Sequence, residues 1–237
     1  MMTRLIQATI AAVLGLGLAG SAAADTVRMT NGLTYSNVNV RDVADGTLSF
    51  TIRRREISRP VAEVARIELA GDGEIAAAEK LLAAEGKAEQ AAEAYRAIRR
   101  GAEGWRKRLA TYRLIQIEPT LGRVDKAYEL WLGALDADNP SKAMLALRPT
   151  RLAPKGDKAN DRAIKRLEAE LKRARNDAYL RALRTGLGNL YERQGRLEDA
   201  RKMAALLGGE GPRTRPDDDG NGETPVPPPP ANGQTAV

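Results

Sequence analysis

The chain has no cysteine and no histidine, and a single phenylalanine among its 237 residues. The first absence excludes disulfides and thiol nucleophiles, and the second excludes imidazole bases; together they remove the usual ligands of zinc and haem. Aromatic residues make up only 4% of the chain, so the core has to be built from Ala, Leu, Ile and Val, a composition that favours helices packed through small side chains. No Ser or Lys stands in a nucleophile motif and the carboxylates are scattered, so the expectation is a non-enzymatic protein that needs no cofactor and no metal. A long apolar run is missing as well. The most apolar stretch, residues 5–18, falls short of the ~20 residues that span a bilayer.

That stretch follows Arg4 and leads to Ala22-Ala23-Ala24, the pattern of a secretory signal peptide over residues 1–24. Export to the periplasm or the extracellular space is therefore expected, with a mature start at Asp25 and no transmembrane segment after cleavage. No Cys follows the cleavage site, so a lipoprotein anchor is excluded and the exported chain is held by packing alone. The formal charge is +7, and the mature chain loses only Arg4 of its 38 basic residues, which leaves +6. Outside the cell such a balance points to anionic envelope polymers, lipid head groups or acidic proteins before nucleic acid.

Residues 25–70 read as a small β module. Asn31-Gly32 and Asp45-Gly46 mark tight turns, while Val38/Val40 and Leu48/Phe50/Ile52 alternate with polar neighbours. A further strand is expected through Glu56 and Ser58, one turn after Pro60, and a closing strand from Arg66 to Leu69. Five short antiparallel strands in this space make a small barrel or curled sheet, similar to the SH3-like or Sm-like kind. Gly71-Asp72-Gly73 breaks that pattern, and residues 74–207 turn to Ala, Leu, Glu, Lys and Arg, the composition of a helical domain. Residues 208–237 lose their apolar side chains and run into Pro225 and Pro227 to Pro230, which predicts a disordered, Pro-rich tail. Within it Asp217-x-Asp219-x-Asn221-Gly222 copies the opening of a calcium loop, but Pro228 stands where the bidentate Glu is needed, so no calcium site is expected.

The helical domain carries an internal period. Ala91-x3-Tyr95 follows Gly86, Ala127-x3-Trp131 follows Gly122, and Ala200-x3-Ala204 follows Gly195, each Ala five residues beyond its Gly. These residues resemble the tetratricopeptide repeat, whose unit of ~34 residues reads W-x2-L-G-x2-Y, a turn, A-x3-F and a late Pro. Leu187-Gly188-x2-Tyr191 is the best match; in the second copy Leu114 and Trp131 fit and Pro140 closes the unit; in the first, Ala78 and Glu79 stand where Leu and Gly are expected. Small Ala and Gly side chains fall where two antiparallel helices approach closely, and Gly after the first helix permits a left-handed turn. An ordinary Ala-rich bundle is the plainer alternative. A fourth copy departs from the pattern: Pro149 and Pro154 cut its first helix to about two turns from Ser141, and its second, from about Ala159 to Arg175, carries Ile164, Leu167, Leu171 and Ala174 on one stripe.

Mainly α, with a tetratricopeptide-like hairpin array behind a β module, is the expected class. The resemblance implies a groove that holds a protein or peptide partner, with Tyr112, Arg113, Gln116, Arg181 and Arg184 as candidate contacts on the first helices. Residues 148–184 hold 12 basic against 5 acidic side chains, and Arg162, Arg166, Lys172 and Arg173 are candidates for an anionic envelope polymer. The plainer reading of that run is a solvated face. Trp105, Tyr112, Tyr128 and Trp131 are expected to fill the core, with Trp105 the most open. Nucleic-acid binding is a third and less favoured reading, because export and the shortage of exposed aromatics weigh against it.

Overall fold

The computed structural model describes residues 24–208, so the expected signal segment before Ala24 and the expected tail after Gly208, with its calcium-loop-like Asp217 and Asp219, lie outside the described residues. Strands β1 (Asp25–Met29), β2 (Thr34–Ala44), β3 (Thr47–Ile52), β4 (Arg55–Pro60) and β5 (Val64–Glu68) form one sheet in the order β4-β3-β2-β1-β5, every neighbour antiparallel. A 3-10 turn, Val61–Glu63, separates β4 from β5. Alternation explains the inward face: Val27, Met29, Leu48, Phe50, Val64 and Ile67 are buried while their sequence neighbours are more open. In β2 the alternation slips. A bulge between Val40 and Asp42 makes Val43, two residues after Arg41, the next fully buried position, and Val40 stays half-buried.

Eight α-helices follow among the described residues: α1 (Gly73–Ala83), α2 (Ala88–Gly101), α3 (Gly104–Ile117), α4 (Val124–Ala134), α5 (Lys142–Ala146), α6 (Lys158–Leu171), α7 (Asp177–Gln194) and α8 (Leu197–Ala205). Polar side chains cap the starts of four of them, α1, α5, α6 and α7. Asp72, Ser141, Asp157 and Asn176 each accept a backbone N–H of the first turn. Packing runs in sequence, α1 on α2, α2 on α3, α3 on α4, α4 on α6, α6 on α7 and α7 on α8. Gly86, Gly122 and Gly195 all take the left-handed conformation at the turns α1/α2, α3/α4 and α7/α8, with φ of 70°, 75° and 78°. Gly156 does the same ahead of α6, at φ 81°, and stands 34 residues after Gly122 and 39 before Gly195.

The Ala and aromatic positions of the period are core. Ala91, Tyr95, Ala127, Tyr128 and Trp131 are fully buried and Ala200 nearly so, while Trp105 is half-buried. After Pro140, α5 is only five residues long, and α6 ends at Leu171, short of the expected Arg175: Ile164 and Leu167 are buried along it, Leu171 is half-buried, and Ala174 is buried beyond its end.

The β module and the helices share one continuous hydrophobic core. Helices α1, α3 and α5 carry the sheet: β5 packs on α1, β2 on α3, and the 3-10 turn on α5. At the β2–β3 turn the approach is close enough that a Cβ on Gly46 would lie 2.6 Å from the Met144 backbone nitrogen, and Ser141 Oγ donates to the Asp45 carbonyl at 2.6 Å. Asp25 opens the module in a structural role, its carboxylate accepting from the backbone N–H of Val40 and of Ala70, both at 3.0 Å.

Candidate functional site

The sheet's position decides the fate of the expected groove contacts. Arg113 is 2% exposed and lies inside the protein, so it is no groove residue. Its Nε donates to Glu79 Oε1 at 2.7 Å and its Nη2 to Glu79 Oε2 at 3.1 Å, while Nη1 donates to the Val64 carbonyl at 2.8 Å. Glu79 also accepts from the Tyr95 hydroxyl at 2.6 Å and the Ile67 backbone N–H at 3.0 Å. Burial penalises the Arg113 charge, but Glu79 and Tyr95 outweigh it and hold its pKa above the ordinary value. The Tyr95 hydroxyl is held protonated by burial and by the Glu79 carboxylate.

Gln116 joins the same junction, its Nε2 donating to the Val61 carbonyl and its Oε1 accepting from Arg113. Tyr112 is buried, and burial raises its pKa. These three expected contacts are therefore the seam between sheet and helices. The physical reason is that the module covers α1, α3 and α5, where a partner was expected.

The basic run divides in two. On α6, Arg162 Nε contacts Asp125 at 2.5 Å and Arg166 Nη2 contacts Glu129 at 2.8 Å, so α4 neutralises both and neither is a free anion contact. Lys172 and Arg173, at and just beyond the end of α6, are exposed and make no ion pair among the described residues.

The other half of the run is a different kind of surface. Between α5 and α6 the chain has no regular secondary structure, because Pro149 and Pro154 break the helix, and its polar backbone is met by fixed side chains. Asn160, fully buried, accepts from Ala153 N–H and donates to the carbonyls of Ala153 and Pro154. Tyr128 donates to the Pro149 carbonyl at 3.1 Å, Trp131 Nε1 to that of Met144 at 2.8 Å, and Gln194 clamps Gly156 N–H and the Asp157 carbonyl. Burial pushes the Tyr128 hydroxyl up to about 12.

Two adjoining clefts, sharing Thr150, flank this clamped segment. One of about 210 Å³ is lined by Gln116, Arg148 and Arg151 among others; one of about 480 Å³ by Lys155, Asn189, Glu192 and Arg193. Arg148 lies across α7 where Gly186 leaves room, with its Nη1 donating to the Ala182 carbonyl at 3.3 Å. Arg193 Nε donates to the Ala153 carbonyl at 2.9 Å, and Arg184 Nη1 to that of Leu206 at 3.2 Å. Arg181 is exposed at the start of the stripe Arg181, Thr185, Asn189, Arg193 along α7.

None of Arg148, Arg151, Lys155, Arg181, Arg184 and Arg193 makes an ion pair among the described residues, and the Nε atoms of Arg148 and Arg184 are buried without a hydrogen-bond partner. Glu192 is the one carboxylate lining the larger cleft. Of the expected contacts only Gln116 lines either cleft, at the edge of the seam, while Arg181 and Arg184 line neither; the cations that do are Arg148, Arg151, Lys155 and Arg193. The sequence signal for Arg148, Arg151 and Lys155 was the pair of prolines: a chain that cannot be helical cannot place acids at i±4 to neutralise its bases; Arg193, on α7, gave no such signal.

Among the described residues no group of three or more carboxylates is placed to hold a metal ion, and no helix is long and apolar enough to cross a membrane. Comparison with protein-family models, with curated proteins and with solved structures returned no match.

Proposed function

We propose that the chain is an exported, non-enzymatic interaction scaffold that holds an extended acidic segment of a partner protein in the cleft between residues 148–156 and α7. A small SH3- or Sm-like β module would then serve as the cover of a tetratricopeptide-like array, and the array would recognise its partner only where that cover ends. The left-handed glycines at three hairpin turns, with Gly156 as a fourth in period, support the repeat reading. The observation that carries the functional reading is the set of four unpaired cations, Arg148, Arg151, Lys155 and Arg193, lining two clefts beside a segment already held by Asn160, Tyr128 and Gln194. A rigid site spares the partner the ordering of both surfaces, and arginine forks suit carboxylates.

The test is capture from the envelope fraction with the purified protein as bait, comparing wild type with Arg151→Glu/Lys155→Glu. A partner retained by the wild type and lost by the variant, at unchanged melting temperature, is the expected result; equal capture by both sinks the cleft reading. An anionic envelope polymer is the second reading, favoured by the same cations. It separates by protease digestion of the envelope fraction, which abolishes capture of a protein partner and leaves capture of a polymer unchanged.

A further inference from the structure

β3 and β4 pair through to Ile52 opposite Arg55, which leaves Arg53 and Arg54 alone to make the turn. Both have left-handed backbone, with φ of 47° and 68°. Two-residue turns of this hand favour Asn-Gly or Asp-Gly, and the preceding turn of the same sheet uses Asp45-Gly46 at φ 48° and 76°. Arginine in that conformation is strained, and no contact offsets it: Arg53, Arg54 and Arg55 are exposed, and none makes an ion pair or side-chain hydrogen bond among the described residues. Beside them Ile52 and Ile57, both half-buried with their inner sides packed against the core, line a cleft of about 730 Å³ together with Arg53, Arg55 and Glu56. Ile57 lies opposite Phe50 and Arg55 opposite Ile52, so these isoleucines and Arg55 share one face of the hairpin.

We propose that this hairpin tip docks the protein on an anionic bilayer surface, with the three guanidinium groups on headgroup phosphates and the two isoleucines at the level of the headgroups. Arg54 does not line the cleft that Arg53 and Arg55 share with Glu56, so the three arginines do not close together on one small anion. A plane of phosphates meets each of them separately, and arginine binds phosphate through a fork of donors. The apolar pair beside the charges adds the second element of interfacial binding. The inference stands apart from the cleft at α7, with which it shares no residue.

Sedimentation of the purified protein with phosphatidylglycerol vesicles and with phosphatidylcholine vesicles tests it. The wild type should bind the former and not the latter. Arg53→Asn with Arg54→Gly should bind about thirtyfold more weakly, from about 1 kcal/mol per arginine near the surface, while melting higher because Asn-Gly suits the turn. Arg55→Gln leaves the turn residues in place and should lose about fivefold, which decides the matter even if the double variant is damaged. The charge-matched control Arg100→Gln with Lys126→Gln lies elsewhere on α2 and α4 and should keep most of the binding. Equal binding to the two lipids, full binding by Arg55→Gln, an equal loss in the control, or displacement by millimolar inorganic phosphate would each overturn the proposal.

Discussion

Replacing Arg113 by methionine separates a buried seam residue from an exposed groove residue. Methionine keeps most of the aliphatic stem, so the loss is electrostatic and not a cavity. Glu79 would keep the Tyr95 hydroxyl and the Ile67 N–H but lose both guanidinium donors, and the Val64 carbonyl would lose its side-chain partner. A carboxylate left alone at 1% exposure costs ~3–5 kcal/mol. Against a total stability of ~5–15 kcal/mol this is about a fifth of the fold or more. With a urea slope on the order of 2 kcal/mol/M the unfolding midpoint should fall by about 2 M. Glu79→Gln added to Arg113→Met should be milder than Arg113→Met alone, because no charge is then stranded. A midpoint shift equivalent to less than ~0.5 kcal/mol, the range of surface substitutions, would refute the burial of Arg113 and return it to an open face.

Gly46→Ala puts a Cβ into the α5 backbone at a left-handed turn position and should cost more than ~2 kcal/mol in a denaturant titration, whereas Gly86→Ala, with nothing near its Cβ, should cost only its backbone strain of ~1 kcal/mol. Ala127→Leu and Ala200→Leu should each overpack a hairpin contact by ~1–3 kcal/mol, while Lys172→Leu stays within ~0.5 kcal/mol; equal melting of all three would deny the helix-contact role. Buried Tyr128 holds its proton to about 12 against an ordinary value of 10, so its contribution is complete below pH 10 and is lost as the pH rises to about 12. Thermal melts over that window should show a steeper alkaline decline for wild type than for Tyr128→Phe. Terminal sequencing of the native protein should begin at Asp25; an intact Met1 on a cytoplasmic protein would revive nucleic-acid binding.

Local chemistry made the elements legible. Asn31-Gly32 and Asp45-Gly46 marked the first two turns, period two marked the strands, and a Gly five residues before an Ala marked the hairpins. The pairing across elements stayed hidden. Arg113 reads as a surface arginine until Glu79, 34 residues earlier, is brought beside it; and Glu79 is the residue that broke the repeat pattern in the first copy, where Gly was expected. The departure was the trace of a buried partner. Arg162 and Arg166 likewise meet acids 37 residues away on α4, a distance at which sequence pattern has no reach. The turn Arg53-Arg54 escaped notice for the opposite reason, since arginine is the wrong residue type for such a turn and so gives no turn signal.

A row of helical hairpins standing alone behaves like a spring, because each unit touches only its neighbours and can open by itself. Here the sheet lies as a strut across α1, α3 and α5, and the bond from Ser141 to the Asp45 carbonyl ties residues 96 apart in the chain. Three units so braced should yield together, in one cooperative transition, while α7 and α8 beyond the strut keep the freedom to fray first. Hydrogen exchange would then divide the molecule near residue 176, with protection close to the global value before it and graded after it. The same brace makes folding wait on distant contacts, so this chain should fold more slowly than an unbraced array of its length.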